Sequence, residues 1–149
     1  MNTLLASWFG TGLILRRLRG SDAGSGTVGS VAALVLALLL SPAGWVVQLL
    51  AAIFVTALSV AASAPFADEG DPGWVVIDEA AGTLIATIGL GWPGWLAGFI
   101  VFRLADIVKA TPGVGRVESL PGGWGITFDD VVAGAYGLAA GWGLQLLLG

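Results

Sequence analysis

From Ala23 to Ala67 the chain carries no charged residue, and this interval limits the possible folds more than any other feature. An uncharged stretch of that length offers no polar face to water, whereas a lipid bilayer solvates it readily. Ser41-Pro42-Ala43-Gly44 interrupts it, and Pro beside Gly marks a turn. The two sides predict helices over 27–41 and 45–64. The second is long enough to cross a hydrocarbon core of about 30 Å, and the first is if it begins near Gly24. A buried helical hairpin inside a soluble protein is the competing reading, and it would demand an unusually large core.

Composition agrees with the membrane reading. Only 11% of the residues are charged and 56% are hydrophobic, against about 25% charged in ordinary soluble domains. Mean hydropathy is +0.91. The length predicts one domain, 1–149. The chain has no Cys and no His, which removes disulfides, thiolate chemistry, imidazole bases and His-bearing metal sites. Six basic residues and a net charge of -4 leave no footprint for nucleic acid. Arg16, Arg17 and Arg19 stand at the end of the first apolar stretch, Leu4 to Leu18, and not before it as in a signal peptide. That stretch, with Trp8 and Phe9, reads as an interfacial helix or one half-buried against a bundle.

A second hairpin turns at Gly89-Leu90-Gly91-Trp92-Pro93-Gly94 and predicts helices near 75–89 and 94–110. At the helical rise, Glu79 lies about 15 Å from this turn and Arg103 about 14 Å, so the two share a depth. The last helix is expected to begin after Asp130 and to run from Val131 to Gly149, without charge. Gly134, Gly137 and Gly141 within it either let helices approach closely or simply reflect a glycine-rich chain. The fold class is therefore all-α, a multi-pass helical membrane bundle with an N-terminal interfacial or half-buried helix. The uncharged turns fall on one side and the charged groups at 16–22, 68–79, 103–118 and 129–130 on the other. The Arg and Lys residues assign the charged side to the cytoplasm.

Ionisable groups within apolar helices cost roughly 2.5–3.5 kcal/mol each at the membrane centre, so they need partners or a task. Arg103 with Asp106, and Asp106 with Lys109, are spaced i,i+3 on one helical face. A structural ion pair explains Arg103 with Asp106. It does not explain the surplus of carboxylates, in which Asp78, Glu79, Asp106, Asp129 and Asp130 face two cations. Like charges crowded in a low dielectric disfavour ionisation, and a divalent cation relieves that. An all-oxygen donor set favours Mg2+ or Mn2+ over zinc. Arg103 and Lys109 would then hold phosphate oxygens. The Gly24-Ser25-Gly26-Thr27 stretch places backbone amides at a helix start, where an anion is favoured. Gly122-Gly123-Trp124-Gly125 precedes the Asp129-Asp130 pair. Neither a Walker A sequence nor a DxDx[TV] nucleophile motif is present.

Four blocks together carry a resemblance. They are Phe9-Gly10-Thr11-Gly12 with Gly26-Thr27-Val28-Gly29-Ser30; Asp71-Pro72-Gly73 with Val76-Ile77-Asp78-Glu79 and Gly82; Phe102-Arg103 with Asp106, Lys109 and Pro112; and Gly122-Gly123-Trp124-Gly125-Ile126 with Asp129-Asp130 and Gly134. In order and spacing the chain resembles the bacterial phosphatidylglycerophosphatase A family over nearly its whole length. The resemblance implies a multi-helical protein of the bacterial inner membrane that removes the terminal phosphate of phosphatidylglycerophosphate, with Mg2+, in phospholipid biosynthesis. It differs where Ser25 and Ala110 stand at positions the family commonly fills with proline.

The expected site follows. Asp129, Asp130, Asp106, Lys109 and Arg103 are the catalytic candidates. Arg103, Lys109, Gly26 and Thr27 are the candidates for the substrate phosphate, and Asp78, Glu79, Asp106 and Asp130 for Mg2+. A carboxylate, Asp129 or Asp130, would orient the attacking water. The partners are a phosphorylated glycerophospholipid and the bilayer, with an oligomer left open. A small ion-coupled transporter, or a scaffold stapled by ion pairs, is the alternative in a different functional class.

Overall fold

The computed structural model describes residues 2–70, 72–108, 111–117 and 119–148, and among these every regular element is helical. Helix α1 is Asn2–Ala6, α2 Ile14–Arg19, α3 Ser25–Leu40, α4 Trp45–Ser63, α5 Ile77–Ala86, α6 Gly94–Val108, α7 Val114–Val117 and α8 Gly123–Leu148. Short 3-10 turns cover Thr11–Leu13, Ser41–Ala43 and Ala64–Glu69. Three stretches are long and apolar enough to cross a membrane: Ser25–Ala43, Trp45–Glu69 and Gly123–Leu148. The first hairpin forms where the uncharged interval predicted it.

The centre of the bundle is the shortest of its main helices. At ten residues, α5 rises only about 15 Å, so it fills the interior rather than spanning by itself. Almost its whole circumference is buried, including Ile77, Asp78, Ala80, Ala81, Gly82, Thr83, Leu84 and Ala86. Small side chains make this possible, because α3, α4, α6 and α8 can all close on it. It stops at Ala86 rather than at 89. The Thr87 hydroxyl turns back to donate to the Thr83 and Leu84 carbonyls at 3.0 and 3.2 Å, and Gly89 then takes a left-handed conformation, φ 69°.

The last helix departs from expectation at its start. It begins at Gly123, not after Asp130, so the acidic pair lies inside a helix. A glycine-rich stretch has poor intrinsic helix propensity, but here the missing side chains are what packing requires. A Cβ at Gly123 would collide with the Val60 carbonyl of α4. One turn on, the Ser59 and Thr127 hydroxyls share a buried hydrogen bond of 2.8 Å. Further along, Gly134 and Gly141 face the carbonyls of Gly82 and Gly94, where an added Cβ would stand 2.7 Å from each oxygen. The α8 glycines are thus contact points that let α5 and α6 approach closely, beyond what a glycine-rich composition alone would require.

The N-terminal segment is not one helix. Trp8, Phe9 and Gly10 all have positive φ, at 47°, 58° and 90°, which interrupts the helix between α1 and α2. Ala6 and Trp8 are buried while Phe9, Leu18 and the arginines of α2 are exposed. The Val76 amide donates to the Ala6 carbonyl at 2.9 Å, tying this half-buried segment to the entry of α5.

The bundle has two chemically distinct ends. At one, Gln48 Oε1 accepts the Gly89 amide at 2.7 Å and Trp142 donates to the Ile88 carbonyl at 3.2 Å, which gathers both uncharged turns. At the other, the starts of α3, α5 and α8 meet the later part of α6, and the described charged residues collect there.

Candidate active site

The starts of α5 and α8 bring carboxylates together from distant parts of the chain. Asp78 and Glu79 occupy the first turn of α5, and Asp130 the third turn of α8. One oxygen from each of the three lies within 4.8 Å of the others. Gly82 permits this approach. A Cβ there would stand 2.8 Å from the Asp130 carbonyl oxygen and would strike the Phe102 ring of α6.

Helix α6 supplies the cation. Arg103 Nη1 meets Asp106 Oδ2 at 2.7 Å, with both side chains largely buried, as their i,i+3 spacing predicts. The start of α3 closes the fourth side. A Cβ on Gly26 would collide with the Glu79 carboxylate and stand 3.3 Å from Arg103 Nη2. Gly26 therefore acts here as a space, an aspect that its reading as an amide donor did not include. Thr27 follows on the exposed side of α3, and its amide already donates to the Gly24 carbonyl at 3.1 Å.

Asp129 faces a different way from Asp130, as neighbours about 100° apart on a helix must. Its Oδ1 accepts the Asp130 amide at 2.9 Å. Its side chain lines a cavity of about 340 Å³ with Ala67, Asp68, Gly70, Leu120 and Gly122. Asp68 was not expected near the site; its only signal in the sequence is its place in an acidic loop. Of the four residues expected to hold a metal, the structure groups Asp78, Glu79 and Asp130, while Asp106 is engaged by Arg103. Lys109 and Asp71 lie outside the described residues.

Among the described residues the arrangement is short of positive charge. Asp130 lies within Coulombic reach of Asp106, Asp78, Asp129 and Arg103, and Glu79 within reach of Asp130, Arg103 and Asp106. Glu79 Oε2, Asp130 Oδ1 and Arg103 Nε are buried with no hydrogen-bond partner among the described residues. Burying such atoms unsatisfied is expensive. An all-oxygen set with two buried acceptors to spare fits a hard divalent cation of the Mg2+ type, and an arginine beside it fits phosphate.

Comparison with known proteins bears on this arrangement. The family description "Phosphatidylglycerophosphatase A" matches residues 4–145. Phosphatidylglycerophosphatase A of Haemophilus influenzae is 36% identical over 150 aligned residues, covering 95% of this chain and 87% of that protein. The Escherichia coli protein of the same name is 34% identical, covering 88% and 76%. A Bacteroides thetaiotaomicron protein provisionally named a phosphatidylinositol-3-phosphatase is 41% identical over 71 residues, and that match spans only 44% of either chain. No solved structure matches.

Proposed function

The chain belongs to the phosphatidylglycerophosphatase A family of lipid phosphatases, and from that premise we propose that it hydrolyses phosphatidylglycerophosphate to phosphatidylglycerol and phosphate, dependent on Mg2+. The observation that carries this reading is the group of Asp78, Glu79 and Asp130, with two buried carboxylate oxygens lacking partners, set beside Arg103 inside an apolar bundle.

In this reading Asp78, Glu79 and Asp130 hold the ion. When bound, Mg2+ supplies Lewis-acid polarisation of the phosphoryl group. Arg103 and Lys109 bind the phosphoryl oxygens and offset the charge that develops in transfer. Asp106 is a positioning residue: its ion pair aims the Arg103 guanidinium. Gly26 leaves the space that the Glu79 carboxylate occupies beside Arg103. Asp129, in the wall of the neighbouring cavity, takes a proton as water oxygen attacks phosphorus; the P–O bond to the glycerol headgroup breaks, and the departing glycerol oxygen takes up a proton from water. The acyl chains stay in lipid throughout, which suits a site built among membrane helices.

The charged end of the bundle is assigned to the cytoplasm, in the inner membrane. Arg16, Arg17, Arg19 and Arg116 support this by the positive-inside rule. Purified protein in detergent should release phosphate from phosphatidylglycerophosphate with Mg2+ and stop on addition of EDTA. Asp130→Asn and Asp78→Asn should each abolish that release. Unchanged release in both variants would rule out the site.

A further inference from the structure

We propose that the carboxylate site works beneath the bilayer surface, at hydrocarbon depth, and reaches water through the cavity beside Asp129. The inference rests on the reading of the chain as a membrane-embedded phosphatase and adds the depth of its site and the path to it.

Depth is read from the uncharged end. Trp45, Trp92 and Trp142 are exposed there at 60%, 70% and 39%. Trp45 and Trp142 stand together, since a Cβ on Gly89 would touch both, and Trp92 follows three residues after Gly89, packed against Trp95 at 5.5 Å. Exposed tryptophans clustered at one end of an apolar bundle anchor at a membrane–water interface. Four helices measure the distance from that anchor to the site. The rise is about 21 Å from Leu40 back to Gly26 on α3, and about 10 Å from Ala86 back to Glu79 on α5, each a few residues from the turn. It is about 18 Å from Gly94 to Asp106 on α6, and about 18 Å from Trp142 back to Asp130 on α8. Each is well short of a hydrocarbon core of about 30 Å. Tilt shortens such distances along the membrane normal, so it places the site deeper.

The outer surface gives independent evidence. On α6, Leu104, Ile107 and Val108 are more than half exposed beside Arg103 and Asp106. At the level of the buried ion pair, this face of the bundle is therefore apolar. Trp124, also exposed, lies on α8 about 27 Å from Trp142 and about 9 Å beyond Asp130. It marks the second interface at the spacing a bilayer requires, with the carboxylates between.

A recessed hydrolytic site needs a route for water and for the phosphate product. The cavity of about 340 Å³ between the Ala64–Glu69 turn and the start of α8 has Asp68, Gly70 and Leu120 on its exposed rim and Asp129 buried in its wall. Asp129 immediately precedes Asp130, so this wall lies one residue along α8 from the carboxylate group.

The chain contains no Cys, so single-cysteine variants in proteoliposomes test the proposal directly. Ala67→Cys, Leu120→Cys and, read for labelling alone, Asp129→Cys should react readily with a charged methanethiosulfonate. Leu104→Cys and Ile107→Cys should react about a hundred-fold more slowly, because the charged reagent is excluded from hydrocarbon. Both should react fully with a maleimide once the protein is unfolded in SDS, where the thiolate can form. Complete labelling of Ala67→Cys should stop phosphate release from phosphatidylglycerophosphate, while labelling of Leu39→Cys at the far end should not. Equal rates at Leu104→Cys and Ala67→Cys would overturn the depth. A resistant Asp129→Cys, or full turnover after labelling at Ala67→Cys, would overturn the passage. If the wild-type protein released no phosphate, the proposed function would fall, while the labelling rates would still decide both depth and access.

Discussion

Replacing Gly26 by alanine adds one methyl group at a point where the structure has no room for it. The new Cβ would occupy the place of a Glu79 carboxylate oxygen and press on Arg103 Nη2. What yields decides the outcome. The obstructing atoms are the far ends of two flexible side chains, not backbone, so α3 keeps its position and the fold is retained. Alanine also favours the helix by up to about 1 kcal/mol over glycine, and thermal unfolding in detergent should stay near wild type. The site bears the cost instead. Glu79 must swing away from Asp78 and Asp130, and the oxygen triangle opens. Disturbing the groups that set a metal site typically weakens affinity by about 10–100-fold. A displacement of about 1 Å at a reacting centre costs about 100-fold in rate, or about 2.7 kcal/mol of activation free energy. The measurement is phosphate release from phosphatidylglycerophosphate against Mg2+ concentration, for wild type and Gly26→Ala. The half-saturating Mg2+ should rise at least ten-fold, and kcat should stay low at saturation. Wild-type values of both would show that Glu79 holds no metal and that the crowding at Gly26 has no bearing on the chemistry.

Three other perturbations separate the site from its scaffold. Asp106→Asn removes the partner of a largely buried arginine; kcat should fall, and the loss of a buried ion-pair partner should cost about 3–5 kcal/mol by denaturant titration in micelles. Gly82→Ala places a methyl group against the Asp130 carbonyl and the Phe102 ring; backbone cannot yield there, so stability should drop by about 1–3 kcal/mol along with activity. Ser59→Ala leaves the Thr127 hydroxyl buried without its partner and should cost about 1–3 kcal/mol. Adding Thr127→Val should restore most of that loss in the same unfolding assay, with turnover unaffected throughout.

The elements that could be read directly were those set by one-dimensional constraints. Absence of charge over a long interval is a solvation property, so α3, α4 and their Ser41–Gly44 turn were legible without knowing what they touch. The four charged groups share one end because chain length between turns dictates it. The chemistry of the donor set was equally open to view: a chain without His or Cys can offer a metal only oxygen from its side chains. What composition could not show was which carboxylate faces which. Asp129 and Asp130 look alike in sequence, yet one turns to Asp78 and Glu79 and the other to a cavity. That choice depends on α8 starting at Gly123, and the start depends on contact with Val60 of α4. Glycine signals a loop when only its backbone entropy is considered. When a second helix lies against it, the same missing side chain is what allows the helix to form there. Length, solvation and donor chemistry were thus properties of the sequence itself. Register, rotation and the identity of the three grouped carboxylates were decided only when helices far apart in the chain came into contact.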